Sequence, residues 1–114
     1  MPVEAATVDS GLADRRARLF HGLGDPSRSS ILYALAAGPL NVNRIARRTG
    51  LTQPNTSNHL ACLQGCGLVE SERRGRFVFY RLADDVSRLL DAADRIVTDS
   101  ARAILSCPHC GTRV

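Results

Sequence analysis

The sequence predicts a mainly α fold carrying one small β-hairpin, and three observations lead there. Apolar residues recur at helical spacing in five stretches, capping residues and glycines punctuate those stretches, and a short β-prone run around Arg74-Gly75 interrupts them. A chain of 114 residues fits one compact domain and leaves no room for a separate catalytic one. Hydrophobic residues make up 44% and charged residues 23%, a composition that folds. No apolar run approaches the roughly 18 to 20 residues of a spanning helix, and Met1-Pro2-Val3-Glu4 lacks the charged-then-apolar order of a secretory signal. A cytoplasmic protein with no membrane association is expected. With no Trp, two Tyr and three Phe the core must be aliphatic and lean, which favours dimerisation.

Residues 1–9 are small and polar without a period and read as a flexible N-terminal arm. Behind a Ser10 cap, Leu12, Leu19, Phe20 and Leu23 share one face of a first helix that Gly22 and Gly24 close. Asp25-Pro26 then supplies a capping carboxylate and a proline at the first helical position. The stripe Ile31, Leu32, Leu35 carries a second helix over about residues 26–37, stopped by Gly38-Pro39. Asn41 or Asn43 caps a short third helix bearing Val42, Ile45 and Ala46, which ends at Gly50. Thr52 caps a fourth, with Gln53 and Pro54 in its first turn, running to about Gln64 before Gly65 and Gly67. Two short helices joined by a tight glycine-containing turn read as helix-turn-helix. Residues 68–73 and 76–82 form the hairpin. Asp84 and Asp85 open a last helix of about twenty residues, roughly 30 Å, striped by Val86, Leu90, Ala93, Val97 and Ile104. Such a stripe can pack on its own domain. Its length beyond the needs of a small core, with a second amphipathic surface on the first helix, points to a dimer seam.

That order is a winged helix-turn-helix of five helices, over residues 10–105, serving DNA binding and homodimerisation, with residues 106–114 as a cysteine-containing tail. Charge fits a polyanion. All fifteen basic residues are Arg, and residues 15–81 carry eleven of them against Asp25, Glu70 and Glu72. Charge alone suits a solvated surface equally well; the placement of polar groups goes further. In the fourth helix Thr56, Leu60 and Leu63 share the core side, while Asn55, Asn58, His59 and Cys62 fall about 160 to 260 degrees from Leu60, taking roughly 3.6 residues per turn. Amides, hydroxyls and an imidazole facing outward can bond base edges and phosphates, and Gln53 and Ser57 flank them. The residues expected to meet double-stranded operator DNA are Gln53, Asn55, Thr56, Ser57, Asn58 and His59. Arg47 and Arg48 join them on the backbone, with Arg73, Arg74 and Arg76 at the hairpin tip.

The run Leu51-Thr52-Gln53-Pro54-Asn55-Thr56-Ser57-Asn58-His59-Leu60, followed by Gly67-Leu68-Val69 and a charged hairpin, resembles the ArsR/SmtB family of winged-helix repressors, as does Asp25-Pro26-Ser27-Arg28. The likeness covers about residues 12–105. It implies a homodimer joined through its first and last helices, with two recognition helices in successive major grooves of a palindromic operator.

Four cysteines without a secretory signal argue for metal or redox work rather than a disulfide framework. Cys62 and Cys66 lie four apart across the end of the recognition helix, and Cys107-Pro108-His109-Cys110 is a C-x-x-C in the tail. Either pair can share one ion, and the first can equally be two small packed side chains. The helix C-terminus disfavours a free thiolate at Cys66. Residues 83–105 contain no His and Val42-Asn43-Arg44-Ile45 contains no Cys, so other sensing positions of the family are empty. The segment 57–69 resembles the cadmium- and lead-sensing branch, where two recognition-helix thiolates join one tail cysteine. By that resemblance Cys62 and Cys66 are ligands, with Cys107 and Cys110 offering a third and fourth sulfur. Thiolates select soft or borderline ions, which leaves Cd(II), Pb(II) and Zn(II) as inducers.

Two other readings stay open: a thiol redox or persulfide switch on the same cysteines, and a structural zinc held by Cys107 and Cys110. An enzyme is not expected. No paired carboxylate, phosphate loop or nucleophile with an orienting base is present, and no small organic substrate is implied.

Overall fold

The computed structural model describes residues 10–105, in two compact units that divide between Ala83 and Asp84. The first unit opens with α1, Ser10–Leu23. The helix begins at Ser10 itself, and the Gly24 amide closes it by donating to the Phe20 and His21 carbonyls at 3.0 and 3.2 Å. Leu12, Leu19 and Leu23 are half-buried. Phe20, expected on the same face, is 62% exposed.

Helix α2, Pro26–Leu35, starts where its chemistry demands: Asp25 is extended, its carboxylate accepts the Arg28 amide at 3.0 Å, and Pro26 spends no donor at the first position. The helix ends two residues short of expectation, at Leu35, ahead of Gly38 with φ 147. The Arg28 amide is the main influence holding the Asp25 carboxyl below its ordinary value; burial opposes it, and the Arg28 and His59 charges add to it. Asp25→Ala should therefore cost about 0.5–2 kcal/mol of stability at neutral pH. Because the folded carboxyl is the stronger acid, this contribution is complete above the unfolded value of about 4 and fades as pH falls through the folded one. Thermal unfolding of both proteins across that range should show the gap closing only in acid.

Strand β1, Leu40–Asn41, is the one element the sequence reading omits; two residues carry no period to read. It pairs antiparallel with the later strand β3, Phe77–Leu82, with Leu40 opposite Tyr80 and Asn41 opposite Phe79. Asn41 then caps α3, Val42–Thr49, by accepting the Arg44 amide at 2.9 Å, and Gly50 ends it in the left-handed region with φ 79. Helix α4, Gln53–Gly65, is capped by Thr52. Its far end is a Schellman arrangement: Gly67, φ 80, donates to the Gln64 carbonyl, and the Leu68 amide reaches back to Leu63 at 2.9 Å. Leu63 and Leu68 are both fully buried there.

Strands β2, Val69–Arg74, and β3, Phe77–Leu82, form the wing around the two-residue loop Gly75-Arg76, with sheet order β1-β3-β2. The core is aliphatic as foreseen: Ile31, Leu32 and Leu35 from α2, Ile45 from α3, Leu60 and Leu63 from α4, then Leu68 and Val69.

The second unit is α5, Val86–Leu105, of twenty residues. Asp85 precedes it with φ 72, a conformation Asp tolerates better than most side chains, and its carbonyl takes the Leu89 amide at 3.1 Å. Of the stripe expected along this helix, Val86 and Leu90 are buried and Val97 is 53% exposed, as is its neighbour Ile96 at 61%. Among the described residues no helix is long and apolar enough to cross a membrane.

Candidate nucleic-acid interface and thiol pair

Helix α4 presents different chemistry along its length because α2 and α3 cover one side of it. Gln53, Asn55, Ser57 and Asn58 are exposed, and His59 is half-buried near the Asp25 carboxylate. The expected DNA contact through Thr56 is corrected. Thr56 is fully buried and its hydroxyl donates to the Thr52 carbonyl at 2.7 Å, so it braces the first turn from within. Its place one turn before Leu60 explains the difference: those two positions share a helix face.

The start of α4 is tied to α3 by the Gln53 side-chain amide, which donates to Asn43 Oδ1. Its end is tied to the wing, where Gln64 Nε2 donates to the Ser71 hydroxyl at 3.1 Å. Neither link was legible from spacing, since each joins residues of different elements. Arg47 and Arg48 are exposed in the last turn of α3. Arg73, Arg74 and Arg76 surround the wing tip, also exposed. Arg74 stacks over the Phe79 ring at 5.0 Å and reaches Glu72 at 3.4 Å, which holds its guanidinium beside the strand. A shallow groove lined by Asn43, Gln53, Arg76 and Phe77 joins the start of the recognition helix to the wing. α4 and the wing thus offer amides and guanidiniums with no acidic residue in the helix, a surface matched to base edges and phosphates.

The other end of α4 carries the thiols. Cys62 and Cys66 are both free and half-buried, one turn apart, and the Cys66 amide donates to the Cys62 carbonyl at 3.0 Å. Cys62 was expected on the open face with Asn58; it is partly covered instead, and Cys66 lies against α1. A Cβ placed on the buried Gly22 would stand 3.9 Å from Cys66 Sγ and only 3.0 Å from Leu68 Cδ1. A side chain at position 22 would press on the Leu68 methyl, so glycine suits this close approach of α1. Burial pushes the Cys66 thiol above its usual range, the Cys62 charge and a Cys62 hydrogen bond push it further, and Arg18 and Arg28 pull the other way. The expected disfavoured thiolate is therefore found, with burial as its leading cause. The two arginines were not foreseen as neighbours of this sulfur.

Among the described residues no group of three or more His, Cys, Asp or Glu converges. Two adjacent sulfurs fit a soft ion in donor type and reach and supply half of a four-coordinate set. Cys107 and Cys110 lie outside the described residues.

The sequence pattern described as "Bacterial regulatory protein, arsR family" matches residues 25–71. The chain is 52% identical over 68 residues to the HTH-type transcriptional regulator CmtR of Mycobacterium tuberculosis, a stretch covering 60% of this chain and 58% of that protein. It is 34% identical over 95 residues to a probable mercury resistance operon repressor of Streptomyces lividans, covering 82% and 76%. Among solved structures, a homodimeric winged helix-turn-helix DNA-binding domain from Mycobacterium bovis superposes with a TM-score of 0.73 at 37% identity, covering 82% of this chain and 86% of that one. The cadmium metal-sensor CMTR from Mycobacterium tuberculosis gives 0.63 at 46%, covering 71% and 85%.

Proposed function

Since the chain belongs to the arsR family of bacterial regulatory proteins, we propose that it is a homodimeric repressor that leaves its operator when a soft metal ion reaches Cys62 and Cys66. The observation that carries this reading is that one helix bears both the exposed amides and the thiol pair. Exposed Gln53, Asn55, Ser57 and Asn58 occupy the first half of α4 and the thiol pair its end. Asn58 and Cys62 are one turn apart, about 6 Å along the axis, so no long relay is needed.

In the metal-free protein α4 enters the major groove and the wing arginines meet the backbone. Cys62 and Cys66 would hold the ion as thiolates, with Cys107 and Cys110 as further donors. α4 is held by Asn43 at one end and Ser71 at the other, so a shift at its last turn is felt by the whole reading helix. A coupling of about 1–3 kcal/mol suffices, because it alters operator affinity 5- to 150-fold. Likeness to the cadmium metal-sensor CMTR supports cadmium as the inducer; lead and zinc satisfy the same softness argument.

Exposed Phe20 on α1, and Ile96 and Val97 on α5, supply apolar surface for a second copy, in keeping with the homodimeric neighbour. The test is a titration of the reduced full chain with cadmium, lead and zinc, reading sulfur-to-metal absorption and operator binding together. Release in step with the absorption supports the proposal; unchanged operator affinity at saturating metal ends it.

A further inference from the structure

Arg28 has a feature that the DNA surface and the thiol pair leave unexplained. Its Nε is buried and has no hydrogen-bond partner, although buried donors in folded proteins nearly always find one. The rest of the side chain is anchored. The Arg28 backbone amide is fixed by the Asp25 cap, and its Nη2 donates to the His21 carbonyl at 3.3 Å, so the guanidinium spans from the start of α2 to the end of α1. Cys66 Sγ approaches the same end of α1, at Gly22, the residue after His21. The guanidinium, held by its Nη2, and the sulfur therefore approach adjacent residues of one helix turn. Among the described residues no carboxylate forms an ion pair with Arg28, and the neighbouring Arg18 is occupied by Asp14 at 3.0 Å.

We propose that the Arg28 Nε–H is the outer-sphere hydrogen-bond donor to the Cys66 sulfur in the metal-bound protein, a positioning residue for the site inferred above, on which this inference rests. A thiol is a weak acceptor and leaves the donor idle, whereas a metal-held sulfur is an anionic acceptor that completes it. Two or more thiolates around a divalent ion leave no positive charge in excess, so a cationic donor beside the sulfur is not repelled. The bond would also link metal occupancy to the corner between α1 and α2, where the Asp25 cap meets His59 of the recognition helix.

The test compares the wild-type full chain with Arg28→Met and Arg28→Lys under reducing conditions. Cadmium affinity is measured by chelator competition, read by sulfur-to-cadmium absorption and by cadmium NMR. Both variants should bind about 10- to 100-fold more weakly, the usual effect of losing an outer-shell partner. The cadmium resonance should also move, which a purely structural role would not cause. Arg28→Lys keeps the charge and decides the matter if Arg28→Met fails to fold. Affinities within twofold of the wild type with an unmoved resonance overturn the inference, and so does full recovery in Arg28→Lys, since charge alone would then be enough. Absence of the absorption in the wild type is a separate failure, that of the metal site itself.

Discussion

Replacing Cys62 and Cys66 together by serine is expected to abolish cadmium-dependent operator release, while operator affinity of the metal-free protein stays within about twofold of the wild type. Serine is nearly isosteric and both positions are half-buried, so the end of α4 and its Schellman turn tolerate the exchange. The hydroxyl, however, is a hard and weakly acidic donor that does not retain a soft ion. The wild type should lose roughly 5- to 150-fold in operator affinity on adding cadmium, and the double variant less than twofold, both read by anisotropy of a labelled operator. Each single variant leaves one recognition-helix sulfur and should respond only at much higher metal concentration. A double variant that still releases DNA would place the signal elsewhere in the chain.

The second large effect contrasts two residues of α4 only two positions apart. Leu60 is fully buried, and Leu60→Ala should cost about 2–5 kcal/mol through lost burial and the cavity left behind. At fixed protein concentration that corresponds to a fall of roughly 8–40 °C in Tm, taking about 4–8 °C per kcal/mol for a domain of this size. Asn58 is exposed, so Asn58→Ala should leave Tm within the small range of a surface change. If Asn58 reads a base edge, the same variant loses about 1–3 kcal/mol of operator affinity, or 5- to 150-fold, and relaxes preference at one base pair. Equal thermal losses in the two variants would mean that α4 does not present its amides to DNA.

The helical part of this fold was legible because local chemistry marks its boundaries. Asp25, Asn41 and Thr52 each accept an amide three residues on, and Gly50 and Gly67 adopt the left-handed conformations that stop α3 and α4. These are short-range interactions, and residue types declare them. β1 was not legible, because two residues pairing with a strand nearly forty positions away leave no local mark. Periodicity located the apolar stripes of α1 and α5 without saying what covers them, and Phe20 and Val97 remain open in the single chain.

The thiol site divides the same way. The spacing of Cys62 and Cys66 is written along one helix, and their proximity follows from helical geometry alone. Arg18 and Arg28 come from α1 and α2, and the packing of α1 at Gly22 against the end of α4 brings them near this sulfur. Thr56 exposes the opposite hazard. A hydroxyl in a recognition helix invites assignment to DNA, yet its face, shared with Leu60, turns it inward.

Coupling between metal and operator is reciprocal by thermodynamic necessity, which gives the claim its sharpest form. The deciding measurement is the cadmium dissociation constant of the reduced full chain, once free and once saturated with operator. If one helix serves both ligands in opposition, operator weakens cadmium binding by the same factor by which cadmium weakens operator binding, between about 5 and 150. Identical dissociation constants with and without operator would contradict the account.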